Sequence, residues 1–216
     1  TVDGGAGNDS VSLGDGDDRL TATGGGNDTI DGGTGQDSLA ASTGNDSLLG
    51  GTGNDTLAGG AGNDTMDGGA GNDSLDGSDG FDWASYATAT SGVSVSLATT
   101  AAQNTGGAGI DTLTGIENLI GSAFADVLTG DTGDNSINAG AGNDTVTGGA
   151  GNDLILFGDG DDSYDDAAGG NDTLDGGNGN DHLFGFVGSE SYLGGAGNDT
   201  LLGDAGNDSL DGGTGD

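Results

Sequence analysis

Residues 50–77 read GGTGNDTLAGGAGNDTMDGGAGNDSLDG, and the same pattern returns every nine residues. Within this stretch, each copy places Gly-Gly-x-Gly-Asn first, an aspartate at position six and one large apolar residue at position eight. Twenty copies occur, beginning at residues 4, 13, 23, 32, 41, 50, 59, 68, 77, 106, 121, 130, 139, 148, 157, 167, 176, 185, 194 and 203. Position six is Asp in 18 of them, and position eight is Leu, Ile, Val or Met in 17. A repeat this strict predicts one structural unit stacked many times.

Each copy divides into a turn and a strand. Glycine and asparagine tolerate the positive φ angles of a tight turn, and glycine at this density excludes a helix. The four residues that follow predict a short strand, in which alternation sends positions six and eight to one face and positions seven and nine to solvent. Glycine turns and short strands together predict an all-β chain.

Two copies suffice to close one coil of a flattened helix. Stacked coils form a parallel β-roll or β-solenoid of nonapeptide repeats, with two parallel sheets back to back. Position-eight residues such as Leu48, Leu57, Met66 and Leu75 then fill a thin core between the sheets. No single repeat buries enough apolar surface to be stable, so the coils must form together.

The composition requires an external positive charge. The 216 residues include 53 glycines, 37 Asp or Glu, one Lys or Arg and no Cys, for a net charge of −36. Such a chain is disordered unless something offsets its entropy and its repulsion. The shortage of basic side chains excludes nucleic acid as a partner, because phosphate binding needs Lys or Arg. No apolar run approaches the ~20 residues of a membrane span, which excludes direct membrane insertion.

The expected cation is Ca²⁺. Stacked turns bring position-six carboxylates and turn carbonyls together in columns, and an all-oxygen donor set of loose geometry favours calcium over magnesium or zinc. Neutralising −36 takes 18 divalent ions, which is roughly one per repeat. The predicted side-chain ligands are Asp9, Asp18, Asp28, Asp37, Asp46, Asp55, Asp64, Asp73, Asp82, Asp111, Asp126, Asp144, Asp153, Asp162, Asp172, Asp181, Asp199 and Asp208. The predicted carbonyl ligands include those of Gly50, Thr52, Gly59, Ala61, Gly68, Ala70, Gly148, Ala150, Gly194 and Ala196.

The copy at 59–67, GGAGNDTMD, matches Gly-Gly-x-Gly-x-Asp-x-U-x at every specified position, where U is a large apolar residue. This pattern resembles the RTX, or hemolysin-type, calcium-binding nonapeptide. The resemblance covers about 180 residues, as twenty nonapeptides do. It implies a parallel β-roll with calcium between the turns. It also implies type I secretion of an unfolded bacterial chain, which folds on calcium outside the cell or at its surface.

Some copies depart from the pattern, and the calcium sites there are in doubt. The copies at 106, 121, 130 and 185 carry Ile110, Phe124, Asn135 and Glu190 at specified positions. The repeats therefore predict a first block at 1–85, an insertion at 86–105 and a second block at 106–216. Alternating apolar and serine residues at 93–97 predict a half-buried strand that continues the roll without calcium. Partner binding by the aromatic residues near this insertion and a hinge are alternatives.

The predicted role is a structural repeat region: a fibre, a surface layer or an adhesin stalk. The alternative is the carrier or folding domain of a type I-secreted enzyme or toxin. An ice-binding solenoid is a minor alternative, since a Thr ladder begins at Thr43 and Thr52 but ends at Ala61. One histidine and no cysteine argue against an enzyme. The partial repeats at the two ends predict a piece of a longer repeat region or, alternatively, head-to-tail self-association.

Overall fold

A computed structural model describes residues 2–215, which form an all-β parallel solenoid with no helix. The described residues contain 23 strands, all but two of them three or six residues long. The strands are β1 (Ser10–Asp15), β2 (Arg19–Thr21), β3 (Thr29–Thr34), β4 (Ser38–Ala40), β5 (Ser47–Thr52), β6 (Thr56–Ala61), β7 (Thr65–Ala70), β8 (Ser74–Asp79), β9 (Trp83–Ser85), β10 (Ser94–Ser96), β11 (Gln103–Asn104), β12 (Ile110–Thr114), β13 (Asn118–Ile120), β14 (Val127–Thr129), β15 (Ser136–Ala141), β16 (Thr145–Thr147), β17 (Leu154–Asp159), β18 (Ser163–Asp165), β19 (Thr173–Asp175), β20 (His182–Phe184), β21 (Ser191–Leu193), β22 (Thr200–Leu202) and β23 (Ser209–Asp211).

The register shows that two copies make one coil. Ser47 of β5 lies opposite Thr65 of β7, in parallel and 18 residues further along the chain. Coils that contain the extra residue Ala22 or Asp166 have 19 residues, as the pairing of Leu154 with Thr173 illustrates. The extra residues lie outside the strands, so the ladder on either side keeps its alignment. The fold is therefore the β-roll that the nonapeptide predicts.

The chain divides into two compact units. The first contains residues up to 90 together with 99–118. Within it, one sheet has the strand order β1-β3-β5-β7-β9 and the other has the order β2-β4-β6-β8-β12. The short β11 pairs with β12 in antiparallel orientation, which makes a hairpin at that edge. This hairpin places the side chains of residues 103–111 close to a turn column.

The second unit contains 91–98 and the residues from 119 onward. One sheet has the order β13-β15-β17-β19-β21-β23, and the other has the order β10-β14-β16-β18-β20-β22. Strand β10 comes from the segment without glycine turns. Its flanking and central residues Val93, Val95 and Leu97 are buried, which agrees with the strand that the alternation predicts.

The core consists of the position-eight column. Leu57, Met66 and Ile155 are fully buried, and each lies opposite the position-eight residue of the neighbouring coil. Tyr164 and Tyr192 replace aliphatic residues in this column and remain buried, with ring centroids 6.3 Å apart in an edge-to-face contact. Because the core is one side chain wide, each coil depends on its neighbours for burial.

Close stacking explains the glycines of the turn. Gly51 has a φ of 104°, and a side chain there would collide with the carbonyl of Gly33 in the adjacent coil. The carbonyl of one turn thus lies against the Cα of the next. Only glycine permits both the positive φ and this approach.

Removing a core side chain should lower the free energy of unfolding much more inside the stack than at its edge. We expect Leu57→Ala, in calcium-saturated protein, to lower the free energy of unfolding by about 2–5 kcal/mol. Leu210→Ala is the matched control, because Leu210 occupies the same repeat position but is 44% exposed. It should cost less than about 1 kcal/mol. Guanidinium unfolding of both variants measures the difference, and equal losses would contradict a core held by stacking.

Candidate metal centre

The position-six side chains form columns within each unit. In the first unit, the backbone N–H of Asp46 donates to Oδ1 of Asp64 at 2.8 Å, and the N–H of Asp64 donates to Oδ1 of Asp82 at 2.7 Å. The same bond, 18 residues apart, joins Asp126 to Asp144 in the second unit. Each carboxylate thus accepts one hydrogen bond from the coil before it. These bonds place successive carboxylates side by side at the turns.

The burial of these aspartates varies along the stack. Fourteen of the 18 predicted ligands are buried, in agreement with inward-facing position-six side chains. The other four are half-buried, and they are Asp9, Asp18, Asp199 and Asp208. They belong to the outermost described coils, where a neighbour covers each carboxylate from one side only.

The second carboxylate oxygen is without a hydrogen bond at most of these positions. At Asp55, Oδ2 is buried and accepts no hydrogen bond, although Oδ1 accepts one from the N–H of Asp37. We call the positions that share this feature open positions. They are Asp9, Asp37, Asp46, Asp55, Asp64, Asp73, Asp82, Asp144, Asp153, Asp162, Asp181, Glu190 and Asp199. A buried carboxylate oxygen without a donor is costly, and a cation is the ligand that removes the cost.

A carbonyl oxygen from the next coil faces the same space. A methyl group added at Gly50 would lie 2.6 Å from Oδ2 of Asp55 and 2.6 Å from the carbonyl oxygen of Gly68. The corresponding distances at Gly176, to Asp181 and to Gly194, are 2.5 and 2.6 Å. Position-one glycine therefore leaves room for something other than a side chain where two kinds of oxygen converge.

The other predicted carbonyls have varied surroundings. Those of Thr52, Ala61, Ala70 and Ala196 accept hydrogen bonds of 2.8–2.9 Å from position-four amides of the preceding coil. A carbonyl oxygen has two lone pairs, so one remains for a cation. The carbonyl of Gly148 lies beside Gly130 in the copy that carries Asn135. Gly59 lies in β6, and Ala150 lies in the turn after β16.

Burial makes the ionised form of these carboxyls unfavourable. It raises the pKa of Asp73 from 3.8 to about 6, and the charges of Asp111 and Asp55 add to the effect. Burial raises the pKa of Asp162 to about 7, with further contributions from Asp144 and Asp181. The turns therefore take up either protons or cations near neutral pH.

Two positions at which the nonapeptide rule put the site in doubt behave differently. Glu190 is buried with Oε2 unpaired, so it shares the feature of the open positions. The nonapeptide rule did not include Glu190 among the predicted ligands because it specifies Asp at position six. The glutamate at that position was the only signal in the sequence that could have identified it. Asn135 is also buried, but its side-chain oxygen accepts the N–H of Asp131 at 2.8 Å. That copy holds a neutral amide where the others hold a charge.

The donor set suits a hard cation. Within residues 2–215, no three carboxylate or imidazole side chains converge on one point, so a cation there takes backbone carbonyls beside one or two carboxylates. His182, the one histidine of the sequence, is exposed and lies on a strand. Oxygen donors in flexible turns fit calcium, whereas zinc prefers nitrogen and sulfur.

Fold and turn chemistry together define a class of protein, the parallel β-solenoid with cation-binding turns. The family model described as the RTX calcium-binding nonapeptide repeat (4 copies) matches residues 1–25, 23–57, 49–84, 114–146, 129–164, 166–201 and 184–216. The chain therefore belongs to the RTX calcium-binding repeat family and is a calcium-binding repeat protein. No curated protein matches it.

The raised pKa values predict an inverted pH dependence for the metal-free fold. A carboxyl whose pKa is about 6 in the folded state and 3.8 in the unfolded state binds protons more tightly when folded. Stability without calcium is then greatest near pH 4 and falls as the pH rises through about 6 to 7. We expect the thermal midpoint in chelator, followed by circular dichroism, to fall over this interval.

Calcium provides the control for this measurement. At about pH 7.5 it should restore the midpoint, because the ion replaces the proton at the same oxygens. At about pH 4 it should change the midpoint little. A metal-free fold equally stable at both pH values would show that the buried carboxyls do not limit folding.

Proposed function

We propose that this chain is a calcium-dependent structural repeat region of a secreted or cell-surface bacterial protein. The observation that carries the proposal is the set of open positions: buried carboxylate oxygens with no donor, in a chain with one basic side chain against 37 acids. The protein cannot neutralise these turns with its own residues. An external cation must therefore enter as part of the fold.

The proposed ligands are the position-six aspartates together with turn carbonyls from adjacent coils. Gly50, Gly68 and Gly194 illustrate the carbonyl contribution, and Thr52 and Ala70 supply further oxygens at the turns. Glu190 joins the set on the same evidence as the aspartates. Bound ions would remove the repulsion within each column and so make the stacked coils stable.

The requirement for calcium suggests where the chain folds. Extracellular calcium modules commonly bind with dissociation constants of roughly 10⁻⁴ to 10⁻³ M, far above cytosolic calcium. A chain with such sites stays unfolded inside the cell, which suits type I export, and folds after release. No helix among the described residues is long and apolar enough to span a membrane.

The proposed role is structural rather than catalytic. The RTX roll is a structural calcium-binding fold that is usually non-catalytic. The chain has one histidine and no cysteine, and its buried carboxylates are committed to the turns. Its charge of −36 also opposes contact with nucleic acid or with an anionic membrane. These features favour a stalk, fibre or surface layer.

Calcium titration followed by far-ultraviolet circular dichroism tests the proposal. We expect little β structure in chelator at about pH 7.5 and cooperative folding as calcium reaches the millimolar range. Magnesium at the same concentration should be less effective, because it demands octahedral geometry and keeps its water. A chain that remains fully folded in chelator at this pH would contradict the proposal.

Two variants that each remove one negative charge test whether calcium acts at the open positions. At about pH 6, where the metal-free chain still folds, Asp55→Asn should shrink the increase in melting temperature that calcium produces, because it replaces a buried carboxylate with a neutral amide. Asp165→Asn removes the same charge from an exposed position of β18 and should leave that increase nearly unchanged. Equal effects would mean that calcium acts through general screening and not at the open positions.

Head-to-tail association remains part of the proposal. Strand β23 pairs with β21 and with no other strand of the described residues, and its Leu210 is 44% exposed. Such an edge can template the first coil of another copy. Sedimentation velocity should show larger species in calcium than in chelator, growing with protein concentration. Monodisperse monomer at millimolar calcium would rule the association out.

A further inference from the structure

Four position-six side chains differ from the open positions, because the chain itself satisfies their oxygens. We call Asp111, Asp126, Asn135 and Asp172 the closed positions; the remaining predicted ligands Asp18, Asp28 and Asp208 belong to neither group. Like most of the open positions, all four are buried. The difference lies in what reaches the second oxygen.

At Asp126 the donors come from a serine in place of the usual glycine. The N–H of Ser122, at position two of the copy, donates to Oδ2 at 2.6 Å, and its hydroxyl donates to Oδ1 at 2.8 Å. The N–H of Val93 supplies the usual bond from the neighbouring coil at 2.7 Å. Three donors thus converge on one carboxylate, where Asp55 has one.

A side chain at position two does not create this arrangement by itself. Ser78 occupies the same place in its copy but keeps a φ of 72°, close to that of the glycines, and Oδ2 of Asp82 has no donor. The donor geometry around Asp126 is therefore a local feature of its copy.

The next copy closes its position in a related way. Asn135 carries no charge, and its side-chain oxygen accepts the N–H of Asp131, again from position two. Its own N–H donates to Oδ1 of Asp153 at 2.8 Å, so it still takes part in the column. The column continues through this position without a carboxylate.

A hydroxyl closes the other two positions. The Thr105 hydroxyl, held by the β11–β12 hairpin, lies 2.8 Å from Oδ2 of Asp111 and 3.0 Å from the carbonyl oxygen of Gly109. The nearer, charged carboxylate is the stronger acceptor for its one proton. The phenol of Tyr164, a core residue, donates to Oδ2 of Asp172 at 2.9 Å. Thr105 and Tyr164 are both fully buried, so water does not compete for these bonds.

We propose that the closed positions hold no calcium of their own and that side-chain and amide donors replace the ion there. A donor already on the second oxygen removes the cost that calcium removes elsewhere and takes one of that oxygen's lone pairs, so a cation would gain much less at a closed position than at an open one. The inference rests on the proposed calcium-dependent function. It predicts fewer than one calcium ion per repeat. It also means that each unit contains turns whose position-six side chain is satisfied without metal.

Substitutions that open a closed position test this. Thr105→Val removes the hydroxyl at Oδ2 of Asp111, and Tyr164→Phe removes the phenolic hydroxyl at Oδ2 of Asp172. Each variant should bind at least one more calcium ion than the unaltered chain, and each should melt at a lower temperature in chelator at about pH 4, where the metal-free fold is most stable. Thr114→Val and Tyr192→Phe are matched controls, because Thr114 is exposed on the same strand as Asp111 and the hydroxyl of Tyr192 has no partner already. Both controls should leave the ion count unchanged.

Isothermal titration calorimetry gives the ion count, and circular dichroism in calcium verifies that each variant folds. Anomalous diffraction from crystals grown with terbium provides a direct second measurement, with a peak expected beside Asp55 and none beside Asp126. An unaltered chain that binds no calcium would refute the proposed function. Calcium binding with a terbium peak at Asp126, or with an ion count unchanged by both opening substitutions, would refute this inference alone.

Discussion

A column of buried carboxylates is the constraint on which the rest of this structure depends. Stacking brings an aspartate of each coil next to that of the following coil, and the amide ladder between them satisfies one oxygen of each pair. The other oxygen is left facing a carbonyl across the position-one glycine. Carboxylates that lie this close together and are buried from water repel one another unless a proton, a hydrogen bond or a cation reduces the repulsion. The chain's own donors reach this oxygen at a few positions, and we propose that calcium neutralises most of the others.

The thin core follows from the same geometry. Positions six and eight face the same side, so a copy that turns its apolar residue inward turns its carboxylate inward too, as Asp55 with Leu57 and Asp64 with Met66 illustrate. The apolar gain from Leu57 or Met66 is thus tied to the electrostatic cost at Asp55 or Asp64. Neither residue type stabilises the stack alone, and folding becomes conditional on whatever neutralises the turns. The high glycine content adds to this condition, since glycine loses the most backbone entropy on folding.

Most of the fold and much of the site could be predicted because both are periodic. The offset between Asp55 and Leu57 within a copy and the nine-residue period together determine which side chains face inward and which copies stack. The departures from the pattern put the sites of three closed positions, Asp111, Asp126 and Asn135, in doubt, but they could not show which groups close them, and they gave no sign of the fourth, Asp172. Thr105 reaches Asp111 only because a hairpin turns back, and no spacing rule links Tyr164 to Asp172. Glu190 was missed for the opposite reason, since a rule that specifies Asp ignores a longer side chain which still reaches the turn.

Local alternation and a repeated turn are enough to specify the coil, the parallel sheets, the core column and the family, and the nonapeptide contains both. Which carboxylates are left open to a cation is a property of the three-dimensional fold. That property depends on whether a donor from elsewhere in the chain reaches the second carboxylate oxygen, as Ser122 does at Asp126 and as nothing does at Asp55. Hydrogen-bond satisfaction of a buried charge is a matter of distance and direction in three dimensions. The nonapeptide pattern contains neither.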